Sequence, residues 1–109
     1  VVGVECLPGR LVRASVAAGK PLRLARSPSI ADGLASPATS DLVVNTVRRY
    51  VDDLVAVSED EIRGAMRSLL ERAKLLVEGA RTEHQSRRTV VAVLSGGNVD
   101  FSRLREVIG

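Results

Sequence analysis

The chain has 109 residues, which allows one domain that buries about 65% of its unfolded surface. At 45% hydrophobic and 27% charged it has the composition of a globular protein, which excludes a low-complexity or disordered chain. The net charge of +3 comes from scattered arginines such as Arg48-Arg49 and Arg87-Arg88, with no basic stripe interleaved with aromatics, so a nucleic-acid surface is not expected.

Tyr50 and Phe101 are the only aromatic residues, so the core must be built from Val, Leu, Ile and Ala, which suits helices packed on a sheet. Cys6 is the single cysteine, which rules out an internal disulfide and points to a reducing compartment, the cytoplasm. No segment reads as a signal peptide or approaches membrane-spanning length.

In chain order, residues 1–5 form a short apolar run consistent with a buried strand, broken by Pro8-Gly9. Leu11, Val12, Ala14, Ser15 and Ala18 fit a short helix over 10–18, closed by Gly19 and Pro21. Residues 23–37 read as a loop, with three of the four prolines in or near it. Thr39 or Ser40 caps a further helix carrying Val43, Val44, Val47 and Val51 at helical spacing. Asp52-Asp53 then turns into Leu54-Val55-Ala56-Val57, a second buried strand.

The helix that follows has the clearest local signature. Ser58 and Glu61 make a capping box, and Glu59, Asp60 and Glu61 place negative charge at the positive end of the helix dipole. Ile62, Ala65, Met66, Leu69, Leu70, Ala73, Leu76 and Val77 form one apolar face, and Gly79 supplies the stop. Residues 81–88 are polar and linker-like, with the lone His84 expected to be exposed. Thr89 to Leu94 reads as a third buried strand, Ser95-Gly96-Gly97-Asn98 as a turn, and Asp100 as the cap of a last helix with Phe101, Leu104, Val107 and Ile108 on one face. Apolar strands alternating with helices predict an α/β fold: a partial three-layer domain with a short, mostly parallel sheet flanked by helices.

Ligands of such sheets sit at the carboxyl ends of the strands, which singles out Glu5-Cys6, Ser58-Glu59 and Ser95 to Asn98. At the last, two glycines let the backbone approach a ligand closely while a hydroxyl and an amide flank them. By itself the same segment is equally a tight strand-to-helix turn in which Asn98 tolerates a left-handed conformation. Cys6 has no basic partner nearby in sequence and reads as an inert thiol.

Val2-Gly3-Val4-Glu5, Ala18-Gly19-Lys20-Pro21, Ile30-Ala31-Asp32-Gly33-Leu34-Ala35, the run from Arg49 to Ile62, Leu70 to Glu78, and Val93 to Asp100 form a set of segments in register. Together they resemble the threonine and serine dehydratases, a family of fold-type II pyridoxal-phosphate enzymes that also includes serine racemases. They occur in the family's order and cover nearly the whole chain. The resemblance implies that residues 1–109 are the C-terminal portion of the catalytic domain. The implied reaction is β-elimination of a hydroxy amino acid to a 2-oxo acid and ammonia. It also implies cofactor contacts at Ser95, whose hydroxyl would meet the pyridine nitrogen, at Gly96, and at Glu78. Glu5 matches an acid that ligates a metal in some members.

The chain departs from the family pattern in three places. Gly79 stands where a proline would follow Glu78, and the small-residue helix normally found next is replaced by a shortcut to Thr89. Gly9-Arg10-Leu11 lacks the second acid of the metal site. The Schiff-base lysine and the glycine-rich phosphate loop are absent: only Lys20 and Lys74 exist, and neither matches. No catalytic residue is therefore assigned, and no aldimine with pyridoxal phosphate is expected from this chain alone. The alternatives are a non-catalytic remnant or interaction module of the same fold, or part of a serine racemase. An unfinished sheet edge at the start of the chain favours self-association.

Overall fold

The computed structural model describes residues 1–25, 29–74, 91–94 and 99–109. Two strands, β1 (Val2–Cys6) and β2 (Asp53–Val57), pair in parallel with Val2 opposite Asp53 and Cys6 opposite Val57. Parallel strands cannot be joined by a tight turn. The crossover here holds α1 (Leu11–Ala18) and α2 (Asp41–Tyr50), which pack on each other. Beyond β2 come α3 (Glu59–Ser68) and, at the end of the chain, α4 (Phe101–Ile108), which also pack together. The architecture is α/β, as the alternation of apolar strands and helices predicts. No helix among the described residues is long and apolar enough to cross a membrane.

Local chemistry sets most of the element ends. Gly19 takes the left-handed conformation (φ 69°) and its N–H closes α1 onto the carbonyls of Ser15 and Val16. The Ser40 hydroxyl accepts from the Val43 N–H at the start of α2. The loop after α1 is tied down rather than free. The Ser15 hydroxyl, fully buried, accepts from the Leu22 N–H at 3.1 Å, and the Leu24 N–H donates to the Pro37 carbonyl at 2.9 Å. A short 3-10 turn follows at Asp32–Leu34.

The main core gathers Cys6 and Val57 from the strand ends, Ile30 and Ala31 from the loop, Ile62 and Met66 from α3, and Val107 from α4. Val4 and Val99 pack against it. Cys6 is buried, as its position after an apolar strand suggests.

Three expectations are corrected. The helix beginning at Glu59 does not continue regularly to Gly79: it widens into a π-helical turn at Leu69–Ala73, and Lys74 is left-handed (φ 55°) with its N–H on the Leu69 carbonyl. The Lys74 ammonium also donates to the Glu71 carbonyl at 2.9 Å, so two acceptors of the last turn are taken by the residue that ends it. Residues 75–79 and the linker with His84 lie outside the described residues. Of the third predicted strand, residues 91–94 are described and are not a strand; Val91 and Val93 are 87% and 88% exposed. An apolar parallel strand needs neighbours on its edges and cover on its faces, and residues 91–94 find neither among the described residues. Finally, Asp100 stands at the N-cap of α4 without a side-chain capping bond. Of the predicted apolar face only Val107 is buried, while Phe101 is 89% exposed.

The capping box at α3 forms with both of its bonds. The Ser58 hydroxyl accepts from the Glu61 N–H at 3.2 Å, and the Glu61 carboxylate accepts from the Ser58 N–H at 2.7 Å and its hydroxyl at 2.8 Å. The backbone bond first, and the hydroxyl second, hold the Glu61 carboxyl below its ordinary value of 4.5. A depressed folded value means that this contribution is complete above the ordinary value and is lost as pH falls through the lower, folded one. Between about pH 6 and about pH 3 the wild-type urea midpoint should therefore fall further than that of Glu61→Gln. Equal losses in the two proteins would show that the carboxylate contributes nothing.

Candidate functional site

Because the strands are parallel, Glu5-Cys6 and Val57-Ser58-Glu59 emerge at the same end of the sheet. Each strand end carries a carboxylate, and each carboxylate accepts hydrogen bonds from a segment elsewhere in the chain. Glu5 accepts from the Val12 N–H at 2.7 Å and the Arg13 N–H at 3.1 Å. These are open donors in the first turn of α1, whose N-cap, Arg10, offers no side-chain acceptor. Glu5 is thus a remote cap that fastens α1 to β1.

Glu59 plays the corresponding part at β2. One oxygen accepts from the Ser29 hydroxyl and the other from the Ile30 N–H at 2.9 Å. The same Ser29 hydroxyl accepts from the Ala31 N–H at 3.1 Å. The Arg103 guanidinium on α4 donates through Nη1 to the Ser29 carbonyl at 2.8 Å and the Ile30 carbonyl at 3.3 Å, and its Nη2 lies 3.9 Å from the Asp32 carboxylate. An anion holds the donors of this loop and a cation holds its acceptors. Such charge-assisted bonds are stronger than neutral ones.

A cleft of about 450 Å³ opens beside β1. Val4, Glu5, Leu11, Leu34, Thr39 and Val43 are among its walls. Among the described residues Glu5 is its only charged lining residue, and no lysine lines it. Pyridoxal phosphate requires a cationic or N–H-rich cradle for its phosphate and a lysine for its aldehyde. The described cleft supplies neither, and so does not fit the cofactor on its own. Lys74 is bound to the end of its own helix, and the Lys20 N–H serves the Ser15 carbonyl at the end of α1.

The structure therefore brings Glu5, Ser58 and Glu59 to one end of the sheet and ties Asp32 to α4. Ser95, Gly96 and Glu78, the residues expected at the cofactor, lie outside the described residues. Among the described residues no group of three or more His, Cys, Asp or Glu side chains is placed to hold a metal. Ser29 and Arg103 were not singled out by sequence reasoning, and Glu59 only as charge at a helix start and as one of three strand-end positions. Glu59 carries a faint signal in its place just after a strand, whereas Arg103 meets a loop more than seventy positions away and carries none. Glu5→Ala should lower stability by about 1 kcal/mol, the usual loss on removing an N-terminal cap. Magnesium or calcium should leave the wild-type melting temperature unchanged; a rise that Glu5→Ala abolishes would restore Glu5 as a metal ligand.

Comparison with known proteins places this geometry in a family. Residues 1–96 match the family model described as "Pyridoxal-phosphate dependent enzyme". The L-threonine ammonia-lyase of Thermotoga maritima is 35% identical over 99% of this chain, which corresponds to 29% of that enzyme. Among solved structures, the processed threonine deaminase isoform 2 of Solanum lycopersicum superposes with a TM-score of 0.81 at 23% identity, over 97% of this chain and 34% of that one. Maize serine racemase superposes with a TM-score of 0.63 at 34% identity, over 70% of this chain and 24% of its own. The chain spans about a third or less of each of these proteins. It belongs to the family of pyridoxal-phosphate-dependent enzymes, within the fold-type II threonine/serine dehydratase group.

Proposed function

We propose that residues 1–109 are the C-terminal portion of the catalytic domain of a threonine/serine dehydratase, inactive alone and active when completed by an N-terminal portion. The observation that carries this reading is the end-to-end match to about a third of an enzyme named L-threonine ammonia-lyase. The reaction is β-elimination of a hydroxy amino acid, giving a 2-oxo acid and ammonia. Pyridoxal phosphate, when bound, supplies the electron sink for that chemistry; the lysine and phosphate loop that hold it come from the completing portion. This chain contributes the ring-facing wall.

In this reading Ser95 meets the pyridine nitrogen with a neutral hydroxyl, Gly96 allows close approach of the backbone, and Glu78 lies beside the cofactor. A hydroxyl does not hold the ring nitrogen protonated as a carboxylate does. The ring is then a weaker sink, which favours prompt loss of the β-hydroxyl over transamination. The amino-acid substrate, a cytoplasmic location and self-association through the open sheet edge belong to the same reading. The likeness to maize serine racemase favours one second reading, in which the completed enzyme racemises its substrate.

The test is a chimera in which this chain replaces the matching stretch of the Thermotoga enzyme. The chimera should release 2-oxo acid and ammonia from threonine or serine, and Ser95→Ala within it should weaken retention of pyridoxal phosphate. A folded chimera with no elimination activity would contradict the dehydratase reading, and racemisation without elimination would establish the second.

A further inference from the structure

The cleft beside β1 has a chemistry of its own. Glu5 and Val12, partners in the 2.7 Å bond at the start of α1, both stand in its wall, so the carboxylate borders it. The Val12 and Arg13 N–H groups, donors that could receive an anion, are already taken by Glu5. An ionised carboxylate has about four lone-pair positions, so these two bonds leave acceptors for a further donor. Thr39 and Ser40 add hydroxyls to the wall at the start of α2. The Ser40 hydroxyl accepts from the Val43 N–H and keeps a second lone pair.

Much of the remaining wall is aliphatic. It includes Leu11, Leu34 and Val43, and the last two are 48% and 39% exposed. A volume of about 450 Å³ lies within the usual range of small-molecule sites, about 300 to 1,000 Å³. The described wall thus joins one negative charge and hydroxyl acceptors to branched apolar surface, with no cation among them.

We propose that this cleft binds a small primary alkylammonium ion. Its ammonium lies against Glu5 and the hydroxyls at the start of α2, and its branched aliphatic chain covers Leu34 and Val43. An ammonium brings three donors, which suits a wall of acceptors, and the chain gains by leaving water. A free amino acid fits less well, because its carboxylate meets the charge of Glu5 and finds no described cation. A calcium ion takes about six to eight oxygen ligands, more than one carboxylate and a few hydroxyls supply. Such a site stands whether or not Ser95 meets a cofactor.

The test titrates the chain with isopentylammonium chloride at neutral pH and follows its amide chemical shifts. Isopentanol, isopentanoate and ammonium chloride serve as matched probes. The alkylammonium should give saturable shifts at Val12, Leu34 and Val43 that weaken as sodium chloride is raised, and the matched probes should give none over the same range. Glu5→Gln keeps an oxygen for the α1 amides while removing the charge, and should raise the Kd severalfold. Leu34→Ala, which trims the aliphatic wall, should also raise it severalfold. The probe series needs only the wild-type chain, so it decides the matter even where Glu5→Gln loosens α1. Absence of saturable shifts, equal binding of isopentanol or of ammonium chloride, or an unchanged Kd in either variant would overturn the proposal.

Discussion

The parallel pairing of β1 with β2 is the constraint on which the rest depends. It draws residues 2–6 and 53–57 into one ladder, obliges the chain between them to cross over through α1 and α2, and brings both strand ends out together. At that shared end the two carboxylates do related work. Glu5 closes the open first turn of α1, and Glu59 closes the donors of the loop at Ser29 and Ile30. Each carboxylate thereby converts a strand end into a fixed joint with a distant segment. The two described strands bury too little to do this by apolar packing alone.

What the sequence made legible was local. The capping box of Ser58 and Glu61, the left-handed stop at Gly19 and the Ser40 cap each depend on residues within a few positions, and each forms. The alternation of apolar runs and helices was enough for the α/β class. The features that escaped are tertiary. Arg103 and Ser29 carry no mark of their partnership, and the π-helical turn at Leu69–Ala73 interrupts a face whose apolar spacing looks continuous. Val91 to Leu94 have the composition of a buried strand without the described neighbours that would make them one. Strand propensity is largely a statement about such neighbours.

The same distinction bears on the site. Motifs in register identify the family, and the family model covers residues 1–96. Glu5, which matches a metal-ligating acid of some members, accepts here from the amides of α1. The cleft beside it is lined by one carboxylate, the hydroxyl residues Ser36, Thr39 and Ser40 and apolar groups, and a carboxylate without a described cation beside it is a poor host for a phosphate. The described residues join the strand ends to the Ser29-Ile30 loop and to α4. Among them no phosphate cradle and no lysine stands at the cleft.

The central claim is that the groups which capture pyridoxal phosphate are supplied from outside this chain. It is tested most directly by titrating the isolated chain with pyridoxal phosphate, reducing with borohydride and mapping any adduct by mass spectrometry. The account predicts no aldimine absorbance and no specific adduct. A stoichiometric, borohydride-stable adduct at Lys20 or Lys74, accompanied by dehydratase activity, would contradict it.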